Sequence, residues 1–214
     1  MIASIESIFH AEGLNGSLED MIKALSNQNQ RLLHQLHIKT SKRGIFKPIE
    51  DVCSDVFRQL LGSSQYELVG DSAGYLLGLP GDRRLVYDFH QECHYMKGVK
   101  PIVSAHFPLN AACTSANGAM SYLEKSSNLG PLPYQKNKIT NGYTNLQPLD
   151  ITNIVASYEE VQPELKVGDC LFFDEYCIHK SNWNSSNRPR LCGIFRVTTD
   201  LEALNFKSLS PDEL

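Results

Sequence analysis

Hydrophobic positions along the chain change their period near residue 62. Residues 17–36, "SLEDMIKALSNQNQRLLHQL", open with Ser17 as an N-cap and place Asp20 three positions on, a capping-box pattern that predicts a helix. A second helical run, "IEDVCSDVFRQLLG" over 49–62, sets Ile49, Val52, Val56 and Leu60 at helical spacing and stops at Gly62. Both are expected to cover the outside of a sheet. From about Tyr66 the signal becomes short apolar, β-branched and aromatic runs: "GYLLGLPGD", "RLVYDFHQE", "PIVSAHFPL", "GAMSYL", "NIVASY", "DCLFFDEYCIH" and "RLCGIFRV". Gly, Pro, Asn and Asp punctuate them. Seven or eight such strands with no helical period between them predict a β-sandwich or barrel, jelly rolls included. Residues 130–150, "GPLPYQKNKITNGYTNLQPLD", are polar and long for a loop, and are expected to form a lid over a site. There is no internal repeat.

Composition narrows the class without naming a chemistry. The 214 residues suffice for one domain (1–214), read as a helical support over 1–62 and a β core over 66–200. A hydrophobic fraction of 42% and a charged fraction of 21% are those of a soluble globular protein. The net charge of -4 supplies no basic field, so neither nucleic acid nor an anionic membrane surface is an expected partner. No apolar run approaches the roughly 18 residues of a membrane helix. The start "MIASIESIFHAEG" has no basic n-region or long apolar core, so no signal peptide is expected and the location is read as cytoplasmic. Six cysteines without a CxxC pair read as reduced thiols. In that setting the "NSS" sequon at Asn184 has no consequence, and the terminal "SPDEL" lacks the first residue of a retention signal.

The chemistry sits in "DFHQECHY", residues 88–95. In an extended segment His90, Glu92 and His94 share one face while Gln91 and Cys93 point away. A His-x-carboxylate on one strand is half of a facial triad, which a distant histidine completes, leaving positions open as in non-haem Fe(II) oxygenases. Alone, the tripeptide is weak, since two surface histidines beside a solvated glutamate read the same. "VGDCLFFDEYCIHKSNWNSSNRPRL" adds His179 on a later extended stretch, Ser181 two positions on, and Arg190 eleven positions on. A guanidinium beside an open metal site suits a dicarboxylate co-substrate, and Ser181 can donate a hydrogen bond to the same carboxylate.

Together these motifs resemble the phytanoyl-CoA dioxygenase-like branch of the Fe(II)/2-oxoglutarate oxygenases, over roughly residues 74–197. The resemblance rests on "HQECHY", "VSAHFPLNAACTSANGAMSYLEKSSNLG" and "GDCLFFDEYCIHKSNWNSSNRPR". It implies a double-stranded β-helix, the jelly-roll barrel, with the N-terminal helices packed outside. It implies iron ligation by His90, Glu92 and His179, and anchoring of the distal 2-oxoglutarate carboxylate by Arg190 and Ser181. The implied reaction uses Fe(II), O2 and 2-oxoglutarate, releases succinate and CO2, and hydroxylates a small-molecule substrate.

Three positions depart from the family pattern. Glu92 stands where Asp is commoner, and as a retained carboxylate it argues for hydroxylation over halogenation. His106 stands where Trp is frequent, and "YLEKSSNLG" lacks the Pro-Gly-Ser-His turn. His106 and Asn117 are the further candidates near the co-substrate, against core and turn-forming alternatives. His94 and Trp183 are candidates for substrate contact. Arg188 and Arg196 compete with Arg190, and Arg196 shares its strand parity. The polar residues His94, His106 and Asn117 point to a polar or sugar-like metabolite. Two other classes stay open: a cupin-like isomerase or epimerase, which has no use for Arg190, and a non-catalytic ligand-binding barrel, which has no use for three metal ligands.

Overall fold

A computed structural model describes residues 1–40, 43–83, 86–138 and 144–205. Its first part is helical: α1 (Ile2–Ala11), α2 (Leu18–Gln28), α3 (Gln30–Thr40), α4 (Arg43–Val52) and α5 (Ser54–Leu61). Ser17 caps α2 as its spacing predicts, its Oγ accepting from Asp20 N at 3.2 Å. The single helix expected over 17–36 is two, because Asn29 leaves helical geometry and its Oδ1 takes the Leu32 amide at 3.1 Å. The run 49–62 is likewise split at Cys53, and Gly62 ends it in the left-handed conformation, φ 63°.

The apolar spacing in that run marks the wrong face. Val52 and Leu60 are 81% and 54% exposed, while Phe57, one position out of phase, is fully buried. Phe57 wins because its ring meets Tyr66, Phe172 and Phe195 at centroid distances of 5.5, 5.5 and 5.6 Å, an aromatic cluster larger than any valine stripe can build.

The strands are β1 (Glu67–Leu68), β2 (Gly74–Gly78), β3 (Ile102–Pro108), β4 (Ser121–Leu123), β5 (Tyr134–Lys138), β6 (Thr144–Pro148), β7 (Glu160–Val161), β8 (Leu171–Asp174), β9 (His179–Lys180) and β10 (Arg190–Thr198). The larger sheet runs β1-β10-β3-β8, with β2 also on β10; a smaller sheet runs β7-β4-β9. All ladders in both are antiparallel. On β3, Val103, Ala105 and Phe107 face the helices, whereas Ser104 and His106 face the smaller sheet. Gly193 lets the layers close, since a Cβ there would lie 2.3 Å from the Phe107 ring. Met120 and Tyr122 of the smaller sheet's side meet Phe173 and Ile194 of the larger, so the two sheets face each other. Among the described residues they do not join into one closed hydrogen-bonded ring.

Three expected elements come out differently. "NIVASY" belongs to a helix, α6 (Ile151–Ser157), because Ile151, Ile154, Val155 and Tyr158 follow helical spacing against Phe89, Leu123 and Ile178. The expected irregular lid over 130–150 contains a hairpin, β5 paired with β6, whose residues 139–143 lie outside those described. The expected strand over 84–92 makes a single bridge, His90 to His179; residues 84–85 also lie outside the description.

Candidate metal centre

Backbone pairing brings the two halves of the cluster together. His90 N donates to His179 O at 2.9 Å and His179 N donates to His90 O at 3.1 Å. This reciprocal pair sets the imidazoles side by side, ring centroids 4.2 Å apart. Gln91 is extended, and Glu92–His94 then form one turn of 3-10 helix. The turn swings Glu92 beneath the two histidines, with Oε1 3.4 Å from His179 Nε2. One donor atom from each of His90, Glu92 and His179 lies within 4.8 Å of the others, and all three residues are buried.

The protonation pattern suits a metal. His90 Nδ1 is bound to Asp88 O at 2.7 Å and His179 Nδ1 to Cys177 O at 3.0 Å. A carbonyl accepts only from N–H, so both rings carry a proton on Nδ1, which leaves Nε2 as the atom available to a metal. Burial, reinforced by His179, pushes His90 down to about 3, which keeps it neutral. Burial alone would raise the Glu92 carboxyl, but the Arg196 guanidinium and then His179 outweigh it and hold Glu92 well below the usual carboxylate range. Arg196 grips both carboxylate oxygens, Nε to Oε2 at 2.8 Å and Nη2 to Oε1 at 2.9 Å, and donates from Nη1 to Ser72 O at 3.0 Å. Two imidazoles, each held at Nδ1 by a carbonyl, and one ionised carboxylate form a donor set that fits a divalent transition metal.

The same turn takes His94 away from the cluster. Its expected place on the shared face fails because three residues of 3-10 helix rotate it outward, where Nε2 bonds Leu132 O at 2.8 Å and its ring lies against Tyr134. Gln91, expected to point away, is fully buried as a strut: Nε2 donates to Gly130 O and Tyr176 O, and Oε1 accepts from Leu132 N.

Arg190 begins β10 and is only 6% exposed, yet its Nε and Nη1 have no hydrogen-bond partner. It shares a narrow cavity with Ser181, Gly78, Asp82, Asn182 and Asn184. Gly78 leaves room for the guanidinium, since a Cβ there would stand 3.2 Å from it. His106 feels both groups: burial first, then Arg190 and His179, push it down to about 3, and its Nδ1 is unpartnered. Asn117 is not brought in: Oδ1 accepts from Thr114 N and Nδ2 donates to Ala112 O, which makes it the former of its own turn. Trp183 is 43% exposed at the rim, with Arg83 stacked 4.3 Å over its ring. Arg188 pairs with Glu19 on the surface. Arg196 was legible as a second inward arginine on β10, but its partner was not, because nothing local links residue 196 to residue 92. A cavity of about 420 Å³ opens beside the site along β8, lined by Met120, Tyr122, Leu171, Phe173 and Cys177, with the Phe173 ring 4.7 Å from that of His179.

Comparison with known proteins agrees with this architecture. Among solved structures, "non-heme monooxygenase; ThoJ apo" matches with a TM-score of 0.57 at 19% identity, covering 83% of this chain and 65% of its own. The epimerase SnoN, in complex with Fe3+, alpha ketoglutarate and nogalamycin RO, matches with a TM-score of 0.54 at 18% identity, covering 74% and 63%. EvdO2 from Micromonospora carbonacea var. aurantiaca, complexed with 2-oxoglutarate, matches with a TM-score of 0.54 at 16% identity, covering 79% and 70%. The chain thus spans under two thirds of ThoJ and of SnoN. Likeness at these identities is likeness of fold. A search of curated proteins returns no match. The family model for phytanoyl-CoA dioxygenase matches residues 4–192, which is most of the chain and includes every residue of the buried cluster. The chain belongs to the phytanoyl-CoA dioxygenase family.

Proposed function

We propose that this chain is a non-haem Fe(II)- and 2-oxoglutarate-dependent oxygenase that hydroxylates a polar small molecule. The observation that carries the reading is the buried cluster of His90, Glu92 and His179, with two imidazoles and an ionised carboxylate converging within 4.8 Å. The buried guanidinium of Arg190, with Nε and Nη1 open, supports it, because a desolvated cation with open donors needs an anion. Ser181 lines the same cavity and supplies a further hydroxyl donor. The strand order of the two facing sheets is read as a jelly roll, with 66–200 the catalytic core and 1–62 its helical support.

His90, Glu92 and His179 would hold the iron, and Arg190 with Ser181 the distal carboxylate of 2-oxoglutarate. Iron with 2-oxoglutarate and O2 supplies an oxidant able to attack a C–H bond, with succinate and CO2 as co-products. The protein's own part is to orient. Asp88 and Cys177 carbonyls fix the imidazole tautomers, Arg196 fixes the carboxylate, and the sheets exclude water. Retention of Glu92 favours hydroxylation over halogenation. The likeness to the epimerase SnoN keeps a stereochemical inversion as the second reading, to be told apart by whether the product gains oxygen.

Anaerobic titration of the chain with Fe(II) and 2-oxoglutarate tests this directly. The expected result is the weak visible charge-transfer band of the chelate, at one equivalent of iron. His90→Ala and His179→Ala should each abolish it. Iron held as tightly by both variants as by the parent would overturn the assignment.

A further inference from the structure

The β5–β6 hairpin carries a row of carboxamides. Gln135 stands opposite Gln147 in the ladder and Asn137 opposite Asn145, so the four share one face. That face adjoins the metal centre. Gln147 Nε2 donates to Asp88 Oδ2 at 3.1 Å, and the carbonyl of Asp88 holds His90 Nδ1. Gln147 Oε1 accepts from Asn137 Nδ2 at 2.8 Å. The rest of the hairpin is pinned in place: Leu146 N donates to Tyr95 Oη at 2.8 Å, and the Tyr95 ring lies 5.6 Å from that of His90.

Asn145 differs from its neighbours in this row. It is 1% exposed, and neither its Oδ1 nor its Nδ2 has a hydrogen-bond partner. A buried amide left open at both ends costs roughly 1–3 kcal/mol and is uncommon without a functional reason. Its neighbour Gln147 shows where that face points, towards Asp88 and the histidine it positions. A carboxamide is uncharged and offers donors and an acceptor together, which matches hydroxyl groups. The row contains no cation to take a carboxylate or phosphate, Asp88 beside it repels anions, and it gives an acyl chain no apolar surface.

We propose that this amide-lined face receives a neutral, hydroxyl-rich substrate, a glycoside or cyclic polyol, with Asn145 as its central contact. The inference rests on the oxygenase reading of the adjoining site and adds the substrate class.

Saturation-transfer NMR on the full chain, loaded with diamagnetic Zn(II) and 2-oxoglutarate, tests it. The probes are methyl β-D-glucopyranoside, methyl α-L-rhamnopyranoside and myo-inositol, against octanoate. At least one polyol should show saturation transfer and octanoate none. Asn145→Leu should weaken polyol binding at least tenfold while leaving the midpoint of thermal unfolding equal or higher, because an unpaired buried amide is removed. Asn145→Asp, isosteric but without the donors, should weaken binding similarly. Silence from all three polyols, transfer to octanoate alone (which would place the substrate in the Met120–Phe173 cavity), unchanged polyol binding in the leucine variant, or a lowered unfolding midpoint would each overturn the proposal. Titration of the same samples with 2-oxoglutarate separates the two readings: normal co-substrate binding with no polyol signal refutes only the substrate class, whereas loss of both refutes the oxygenase reading beneath it.

Discussion

Arg196→Leu isolates what the guanidinium does for Glu92. The pair makes two charge-assisted bonds of 2.8 and 2.9 Å between side chains only 13% and 4% exposed. Removing one partner of a buried pair leaves the other charge uncompensated, at a cost of roughly 3–5 kcal/mol. For a chain of this size each kcal/mol moves the unfolding midpoint by about 2–4 °C, so the metal-free variant should melt roughly 6–20 °C below the parent. Differential scanning calorimetry at pH 7 measures this. Added Zn(II) gives Glu92 a positive partner again, so its stabilising shift should be larger in the variant than in the parent.

The pH dependence has a definite sign. In the parent, Glu92 is held low, so it contributes stability above about 4.5 that is lost as the pH falls through its folded value. In the variant, burial without Arg196 raises the carboxyl, so the unfolded chain releases its proton first and stability falls as pH rises. The gap between variant and parent should therefore narrow from pH 7 to pH 5. Equal midpoints at pH 7, or a zinc shift no larger than the parent's, would refute the reasoning.

Arg190→Ala should weaken 2-oxoglutarate binding at least tenfold, since truncating one member of a desolvated charge pair costs about 2–5 kcal/mol; calorimetric titration reads it, and lysine should restore only part. Metal affinity without co-substrate should hold. Gly193→Ala drives a methyl to 2.3 Å from the Phe107 ring, so urea unfolding should show about 1–3 kcal/mol of destabilisation, largely suppressed by Phe107→Leu. His37, packed edge-on against Tyr75, is pushed down to about 4 from 6.5, chiefly by burial. The unfolded chain then binds a proton that the folded chain refuses, so stability falls as pH drops from 6.5 and the loss levels off near 4 at about 3 kcal/mol. His37→Gln should flatten the acid slope of the unfolding free energy by about one proton. An unchanged slope would show that His37 is protonated in the folded protein.

The sequence by itself determined the ingredients whose signals are local. The Ser17 cap and Gly62 stop depend on side chains and dihedrals within a few residues, and both stand in the structure. So do the β2, β3 and β10 strands, whose apolar runs are long enough to declare themselves. The pattern of His90, Glu92, His179 and Arg190 was likewise open to reading as a candidate site, because metal and dicarboxylate chemistry restricts which residue types could serve.

What only tertiary structure decided depends on partners distant in the chain. Phe57 was preferred over Val52 and Leu60 because of rings contributed by Tyr66, Phe172 and Phe195. Residues 151–157 became helix because Phe89, Leu123 and Ile178 offered a surface fitted to a 3.6-residue period. His94 left the shared face because a single 3-10 turn replaced the expected strand, and no propensity distinguishes the two over three residues. The pairing of Arg196 with Glu92 spans 104 positions, and the buried amide of Asn145 acquires meaning only when the hairpin folds against Asp88 and Tyr95. Burial converts each of these polar groups from a surface residue into a requirement for a partner, and burial is set by the packing of the whole chain.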